Sequence, residues 1–197
     1  MDGLHIIKSI AAMPHMFVGG VPSERAGDSR LASVRLGAGV AHRIGLTSPE
    51  FSQGEPIPRA HSAEGASISP PLNWVALPEK TRSLLLICED PDAPTPLPFV
   101  HWLLYDVPPE LLGVPAGLQG RVPDELCGGH VGKNSFMQSS WAGCAPPKGD
   151  SAHHYHFQLF ALDKLLAIEP GAGRSRILEG TGLHVIGFGE LVGTYQR

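Results

Sequence analysis

A short apolar run near the end of the chain, HHYHFQLF at residues 153–160, carries three imidazoles and a phenol. Such groups can hold a metal ion, act as a general base or donate hydrogen bonds to an anion. In a strand, residues two apart face the same side, so His153 and Tyr155 share one face while His154 and His156 share the other. The run is therefore predicted to serve two separate environments, and only one of its faces can line a pocket.

Polar residues also occur at the ends of two other apolar runs. Asp90 ends the run SLLLICED, Asp92 follows it, and His101 lies near the start of FVHWLLYDV. A carboxylate that accepts from an imidazole Nδ1–H fixes the tautomer of the ring and raises its affinity for a proton. If these residues converge with His153 and Tyr155, the resulting donors on a rigid sheet suit an oxyanion such as phosphate.

The same residue types leave a second chemistry open. Asp90, His101 and His153 form a set of two histidines and one carboxylate, which could hold a divalent ion that activates water. Cys144 paired with His153 would be the nucleophile in a variant of this hydrolase hypothesis. No spacing among these residues is diagnostic of a metal site, and a loop cysteine beside proline is expected to be a surface thiol. We therefore expect an anion site without a metal or cofactor.

The stretch that precedes the histidine run, residues 129–152, is rich in glycine. Glycine lets backbone N–H groups approach a ligand closely, and consecutive N–H groups can form an anion-binding nest. No Gly-Lys-Ser/Thr run opens a helix here, so the stretch does not match a phosphate-binding P-loop.

The elements that must position these residues are short. The chain has 197 residues, of which 24 are Gly and 19 are Pro, and only 17% are charged. This composition favours short strands joined by loops. SLLLICED has the length and apolar content of a buried central strand, and GRSRILEGTGLH is typical of a single short helix. We predict one mainly β domain with few helices, with Trp74 and Trp102 in its core.

Residues 1–43 differ from the rest of the chain. Residues 19–43 are rich in Gly, Ala, Ser and Arg and show weak periodicity. Two interpretations stay open: a mobile extension or linker, and an arm that packs on a partner subunit. The folded domain is predicted to span residues 44–197.

Composition argues against several classes of protein. A net charge of −4 with no basic block disfavours nucleic-acid binding. No run approaches the roughly 20 apolar residues of a membrane helix, and the first residues lack the basic region of a secretory signal, so a cytoplasmic location is predicted. The three cysteines, Cys88, Cys127 and Cys144, argue against a disulfide framework, although one pair could bridge.

Several motifs resemble the phosphatidylethanolamine-binding protein (PEBP) family, and in particular its bacterial Raf-kinase-inhibitor-like branch. The order and rough spacing of the motifs both match, and the resemblance covers about residues 44–197. The motifs are SPPLNW (69–74), LLLICEDPDAP (84–94), VHWLLYDVP (100–108), AGCAPPKG (142–149) and HHYHFQLFALD (153–163).

The resemblance implies a large antiparallel sheet flanked by a smaller one, and a small cavity for phosphate-like anions or phospholipid headgroups such as phosphoethanolamine. It implies a binding protein rather than an enzyme, with a protein kinase or another protein as a possible partner, and homodimers as in bacterial relatives. Carried over by motif, the cavity residues are Asp90, Asp92, His101, Gly143, His153 and Tyr155.

This chain departs from the family pattern at three places on the expected rim of the cavity. Trp141 stands where the family often has Tyr, and Met137 stands where Gly is usual. The bacterial loop usually reads Gly-Pro-Cys-Pro-Pro, whereas residues 143–147 read Gly-Cys-Ala-Pro-Pro, so the thiol is displaced by one position.

Overall fold

The computed structural model describes residues 24–37, 39–118 and 129–197, and Cys127 lies outside these ranges. The described residues form eight β-strands, two α-helices and two short 3-10 turns, at Asp28–Arg30 and Arg59–His61. The helices are α1 (Ala32–Leu36) and α2 (Arg174–Thr181). The strands are β1 (Gly45–Thr47), β2 (Leu72–Val75), β3 (Ser83–Asp90), β4 (Phe99–Val107), β5 (Gly113–Val114), β6 (His130–Val131), β7 (His153–Leu162) and β8 (Val185–Tyr195).

Within the described ranges the strands form two antiparallel sheets. The larger has the order β6-β4-β3-β7-β8, and the smaller has the order β1-β2-β5. This confirms the predicted mainly β fold, with a large sheet flanked by a smaller one and few helices. No helix among the described residues is long and apolar enough to span a bilayer.

Both faces of the large sheet are covered, which explains why its central strands read as continuous apolar runs. Every residue of β3 and β4 is buried, so the prediction that SLLLICED is a buried central strand is confirmed. One face packs against the small sheet, and there Trp74 and Trp102 are at most 1% exposed, as the sequence predicts.

The second face of the large sheet is covered by the two helices. Ala32 of α1 and Ile177 and Leu178 of α2 pack with Leu85 and Phe160 of the sheet. Helix α1 belongs to the part of the chain that the sequence sets apart as an extension, and it packs on the sheet of the same chain. The domain boundary at residue 44 stays a prediction.

Antiparallel pairing brings the candidate site together. The last residue of β3 pairs with the first residue of β4, since Asp90 lies opposite Phe99. On the other side of β3, Glu89 lies opposite His156 near the start of β7. Because neighbouring strands run in opposite directions, the end of β3 lies between the beginnings of β4 and β7.

Candidate functional site

A cavity of about 60 Å³ opens at this end of the large sheet. Such a volume accommodates a small polar group rather than a large ligand. Five of the six site residues predicted from the sequence line it, and the sixth, Asp92, does not. The five are Asp90, His101, Gly143, His153 and Tyr155.

A β-bulge sets the position of His101. Cys88 and Glu89 are consecutive in β3, but they pair with Trp102 and Val100 of β4, so His101 is the extra residue between them. A bulge leaves its residue outside the regular ladder and changes the direction of the side chain. The bulge therefore interrupts the alternation of side chains along β4 at His101, the residue of this strand whose imidazole lines the cavity.

The His101 ring is held by the loop that follows β6. Its Nδ1–H donates to the carbonyl oxygen of Ala142 over 2.6 Å, and the Ala142 N–H donates to the His101 carbonyl over 2.8 Å. Only Nε2 therefore remains available to a ligand. Burial lowers the pKa of His101, against the opposing effects of Asp90 and the Ala142 bond, so the ring is neutral near pH 7 and Nε2 is an acceptor.

Both carboxylate oxygens of Asp90 accept hydrogen bonds within the protein. Its Oδ2 accepts from Nδ1 of His153 over 2.8 Å, and its Oδ1 accepts from the backbone N–H groups of Asp92 and Ala93 over 2.8 and 3.0 Å. The carboxylate thus fixes both the turn after β3 and the tautomer of His153, as the sequence predicts for a carboxylate–imidazole pair. Asp90 therefore positions the other groups of the site.

The other nitrogen of His153 faces two groups of opposite charge. Nε2 lies 3.4 Å from Oδ2 of Asp150 and 3.4 Å from Nη1 of Arg25. Burial lowers the pKa of His153, but the bonds to Asp90 and Asp150 and the charge of Asp92 outweigh it, so the pKa lies above its usual value. His153 is therefore the histidine of the cavity that gains a proton more readily.

The hydroxyl group of Tyr155 makes no hydrogen bond of good geometry within the described part of the chain, although the backbone of Ala145 and the thiol of Cys144 lie close to it. The side chains of Ser69, Trp102 and Tyr155 each bury a polar atom that has no partner in the described part of the chain, and only Tyr155 lines the cavity. Burial raises the pKa of the phenol, so the hydroxyl is a neutral donor at every ordinary pH. Its ring packs edge-on against His101, with centroids 4.9 Å apart.

Gly143 lines the cavity because the loop packs tightly behind it. A Cβ atom at this position would lie 2.6 Å from Oγ of Ser67 and 2.7 Å from the backbone nitrogen of Ala63. Glycine is therefore required here because a side chain would clash with the neighbouring segment.

The rest of the cavity wall is apolar. Phe99 packs against His101 and Phe136 with ring centroids 4.7 and 4.9 Å apart. Proline side chains complete the wall. In such surroundings a hydrogen bond to a ligand is electrostatically stronger than in water, and an unpaired polar group is more costly. The prolines are Pro94, Pro146 and Pro147.

Two departures from the family pattern have a structural explanation. Met137 has a φ of +63° and is 68% exposed. This is the left-handed conformation that glycine adopts easily, which explains why glycine is usual at this position in the family. The Asn134 carboxamide oxygen accepts from the N–H groups of Phe136 and Gln138 and holds this turn. Trp141 donates its indole N–H to the carbonyl of His61.

Asp92 and its histidine partner lie outside the cavity. Asp92 accepts from the backbone N–H and from Nδ1 of His154 over 2.9 and 2.8 Å. Burial raises the pKa of Asp92, but the His154 bonds outweigh it and the pKa is lowered. His156 lies on the same face and bonds to Glu190. The predicted separation of the two faces of the histidine run is confirmed.

The expectation that Cys144 is a surface thiol is wrong, because Cys144 is fully buried. Burial also raises the pKa of Cys144 well above its usual value, which disfavours the thiolate that a nucleophile needs. Cys88 and Cys144 are both free thiols. In the described ranges, no group of three His, Cys, Asp or Glu side chains is arranged to hold a metal ion. The burial of the thiol weighs against the cysteine variant of the hydrolase hypothesis.

Sequence reasoning did not single out two charged neighbours of His153. Asp150 lies in the loop before β7, and Arg25 lies in the N-terminal stretch of weak periodicity. Neither belongs to a chemical motif, and the sequence carries no signal for a contact between residues 125 positions apart.

The described residues thus form a mainly β protein whose small apolar cavity presents isolated hydrogen-bonding groups, which is typical of a binding protein. The sequence model of the family described as phosphatidylethanolamine-binding protein matches residues 47–196. The chain belongs to this family, and the resemblance seen in the sequence is confirmed. Family membership supports a non-catalytic binding protein in general.

Relatives and solved structures agree with this assignment. The chain is 38% identical over 166 residues to a UPF0098 protein of Pyrococcus horikoshii, covering 82% of this chain and 81% of the relative. The crystal structure of a PEBP homologue from Chlamydia trachomatis has a TM-score of 0.71 at 34% identity, covering 80% of this chain and 99% of that one. E. coli YbcL, described as a member of the mammalian PEBP family, has a TM-score of 0.72 at 29% identity, covering 78% and 98%.

Proposed function

We propose that this chain is a non-catalytic binding protein whose cavity takes a phosphate-like anion, either free or as part of a phospholipid headgroup. The observation that supports this most directly is the hydroxyl of Tyr155, a buried donor on the wall of the cavity that makes no hydrogen bond of good geometry to the described protein. A buried polar group without a partner is destabilising, and a ligand oxygen that accepts from it removes that penalty.

His101 supplies the second ligand contact. Its Nδ1–H is committed to Ala142, so Nε2 either accepts from a protonated phosphate oxygen or, after protonation, donates to an unprotonated one. Because burial lowers the pKa of His101, a fully ionised phosphate must bring about uptake of a proton by the ring. Binding of phosphate is therefore expected to strengthen as the pH falls towards 6.

Asp90 and His153 support the ligand contacts without making them. The carboxylate of Asp90 has its oxygens occupied by three N–H donors. Asp90 thus offers only limited acceptor capacity to the amine of phosphoethanolamine, because each of its oxygens already accepts a hydrogen bond. Recognition is expected to concern the phosphoryl group.

The test is a titration of the purified full chain with inorganic phosphate and with phosphoethanolamine, followed by calorimetry and thermal unfolding. At about 100 times its dissociation constant, a ligand specific for the native state adds roughly 2.7 kcal/mol to the free energy of unfolding. Tyr155→Phe should weaken phosphate binding about tenfold, because it removes a hydrogen bond to a charged group.

Two controls define the outcome. His184→Gln changes an exposed histidine that is bonded to Asp163, and it should bind phosphate like the wild type. Chloride at matched ionic strength should leave the melting temperature unchanged.

No shift of the melting temperature with phosphate, or equal affinities of Tyr155→Phe and the wild type, would contradict the proposal. Equal affinities for the two phosphoryl ligands support recognition of the phosphoryl group, and much tighter phosphoethanolamine binding contradicts it.

Binding of a kinase or another protein partner, the homodimer and the cytoplasmic location remain predictions from the sequence and its family resemblance.

A further inference from the structure

The N-terminal segment, residues 24–37, precedes the part of the chain that matches the family model, which begins at residue 47. It runs along the end of the large sheet and reaches the neighbourhood of the cavity. Its residue Arg25 lies beside the proposed anion site, and the role proposed for Arg25 rests on that site.

Buried side chains of the sheet hold one end of the N-terminal segment. The N–H of Ala32 donates to Oε2 of Glu89 over 2.7 Å, and the N–H of Ser33 donates to Oε1 of Gln158 over 2.6 Å. Glu89 and Gln158 are fully buried and bonded to each other. These bonds satisfy backbone donors at the start of α1, so the segment has a defined attachment to the domain.

The other end of the N-terminal segment follows the turn after β3. The N–H of Gly27 donates to the carbonyl of Pro91 over 3.1 Å, and the guanidinium of Arg30 donates to the carbonyl of Pro96 over 2.9 Å. With both contacts in place, the backbone is directed towards the start of β7, where His153 lies.

Arg25 joins the two loops that flank His153. Its Nη1 donates to the carbonyl of Asp92 over 2.6 Å, and its Nη2 donates to Oδ2 of Asp150 over 2.7 Å. The same Nη1 lies 3.4 Å from Nε2 of His153. Because Nδ1–H of the ring donates to Asp90, the neutral ring presents Nε2 as an acceptor towards the guanidinium.

We propose that Arg25 is a positioning residue of the anion site, which opposes protonation of His153 at Nε2 and adds a permanent positive charge beside the cavity. In this arrangement the guanidinium competes with a proton for Nε2. It also occupies Asp150, the carboxylate that would otherwise accept from a protonated Nε2.

The direction of the effect follows from the charges around the ring. A cation beside Nε2 disfavours the imidazolium, and the anions favour it. Loss of Arg25 removes the cation and frees one anion, so both changes make the ring easier to protonate. The charged and titratable groups that face His153 are Asp90, Asp92, His101, Asp150 and Arg25.

The first measurement follows the ring C–H resonances of His153 by NMR during a pH titration in phosphate-free buffer, with His153→Gln to assign the signal. Arg25→Gln should raise the titration midpoint of His153 by about one pH unit. Arg25→Lys keeps the charge but not the planar set of donors, and it should give a midpoint between those of Arg25→Gln and the wild type. Arg35→Gln removes the same charge from an exposed position of α1 and should leave the midpoint unchanged.

The second measurement is the affinity for inorganic phosphate at pH 8, by calorimetry on the full chain. Arg25→Gln should bind about fivefold more weakly, and Arg35→Gln should bind like the wild type. A similar melting temperature for both variants would show that the affinity change is not a loss of folding.

The two measurements separate the inference from the proposed function. An unchanged His153 midpoint in Arg25→Gln overturns the role of Arg25, whatever the protein binds. A raised midpoint in a protein whose wild type binds no phosphate overturns the anion site and the positive charge assigned to it, but supports Arg25 as the residue that opposes protonation of His153. Equal loss of phosphate affinity in Arg25→Gln and Arg35→Gln would indicate general charge only and would also overturn the inference.

Discussion

Glu89 and Asp90 are consecutive buried carboxylates at the end of β3, on opposite faces of the large sheet, and their partners differ. Glu89 is bonded to the guanidinium of Arg174 and accepts from Gln158 and from the backbone of Ala32. Asp90 is bonded to the imidazole of His153 and accepts from two backbone N–H groups. Both carboxylates are satisfied, but only one of them has a partner that titrates near neutral pH.

The two pairs therefore suit different roles: the Glu89 pair suits a structural role, and the Asp90 pair suits a functional one. A guanidinium keeps its charge throughout the ordinary pH range, so the pair on the Glu89 face is permanent. An imidazole gains and loses a proton between about pH 5 and 8. The face with the permanent pair is covered by α1 and α2, whereas the face with the imidazole carries the cavity.

The largest effect is expected from breaking the permanent pair. Glu89→Gln leaves the Arg174 guanidinium, which is only 12% exposed, without its counter-charge. The free energy of unfolding should fall by about 3 kcal/mol, in the range for a buried pair that loses one member. Urea denaturation of the variant and of the wild type measures this difference in the free energy of unfolding.

Glu179→Gln is the matched control for this substitution. Glu179 is 73% exposed and lies 3.8 Å from Arg176. Its replacement should change the free energy of unfolding by less than about 0.5 kcal/mol. Equal losses in the two variants would show that the buried network around Glu89 does not stabilise the fold.

An intermediate, pH-dependent effect is expected from Asp90→Asn. The pKa of His153 is raised in the folded state, so the stability that its protonation contributes is present below about pH 6.5 and is lost as the pH rises through the folded pKa. Asp90→Asn should therefore lower the free energy of unfolding by about 1–3 kcal/mol at pH 6, and by less at pH 9. Urea denaturation at the two pH values gives the difference.

The comparison of the two carboxylates supplies the reference for this measurement. The loss in Glu89→Gln should be the same at pH 6 and pH 9, because its partner does not titrate between them. If the loss of unfolding free energy in Asp90→Asn is also independent of pH, the imidazole contributes no proton-linked stability. The proposed difference between the two faces of the sheet would then be wrong.

The smallest effect is expected from Asp92→Asn. Asp92 is about one-third exposed and its partner His154 is about half exposed, so solvent screens the pair. The free energy of unfolding should fall by at most about 1 kcal/mol at pH 6. Because the pKa of Asp92 is lowered, its contribution is present above about pH 4 and is lost as the pH falls through the folded pKa. A loss as large as that of Asp90→Asn would contradict the placement of Asp92 outside the site.

Much of the site could be predicted because it depends on local periodicity. The alternation of the histidine run separates His153 and Tyr155 from His154 and His156, and the structure has the same separation. Antiparallel strands then bring the ends of successive apolar runs to one edge of the sheet. The family resemblance supplied the identity of the cavity residues, of which five line it.

Other features could not be predicted because they depend on distant contacts. The bulge at His101 is defined only by the register against β3. Cys144 is buried because the loop after β6 packs on another segment, where it pairs with Ser62 in an isolated bridge. The N-terminal stretch has weak periodicity, since much of its attachment uses hydrogen bonds to side chains of the sheet, to which a few apolar residues such as Ala32 are added.

The sequence by itself determined the long apolar strands β3, β4 and β7, the two faces of β7 and the family, because each of these is encoded in spacing over a few residues or in motif order. Only the tertiary structure decided which polar groups have hydrogen-bond partners within the protein. Hydrogen bonds between residues more than 60 positions apart join Asp90 to His153 and bring Arg25 to His153, while the hydroxyl of Tyr155 is left without a hydrogen bond of good geometry in the described residues. Such pairing depends on where the folded chain places each donor and acceptor, and this is not encoded in local spacing.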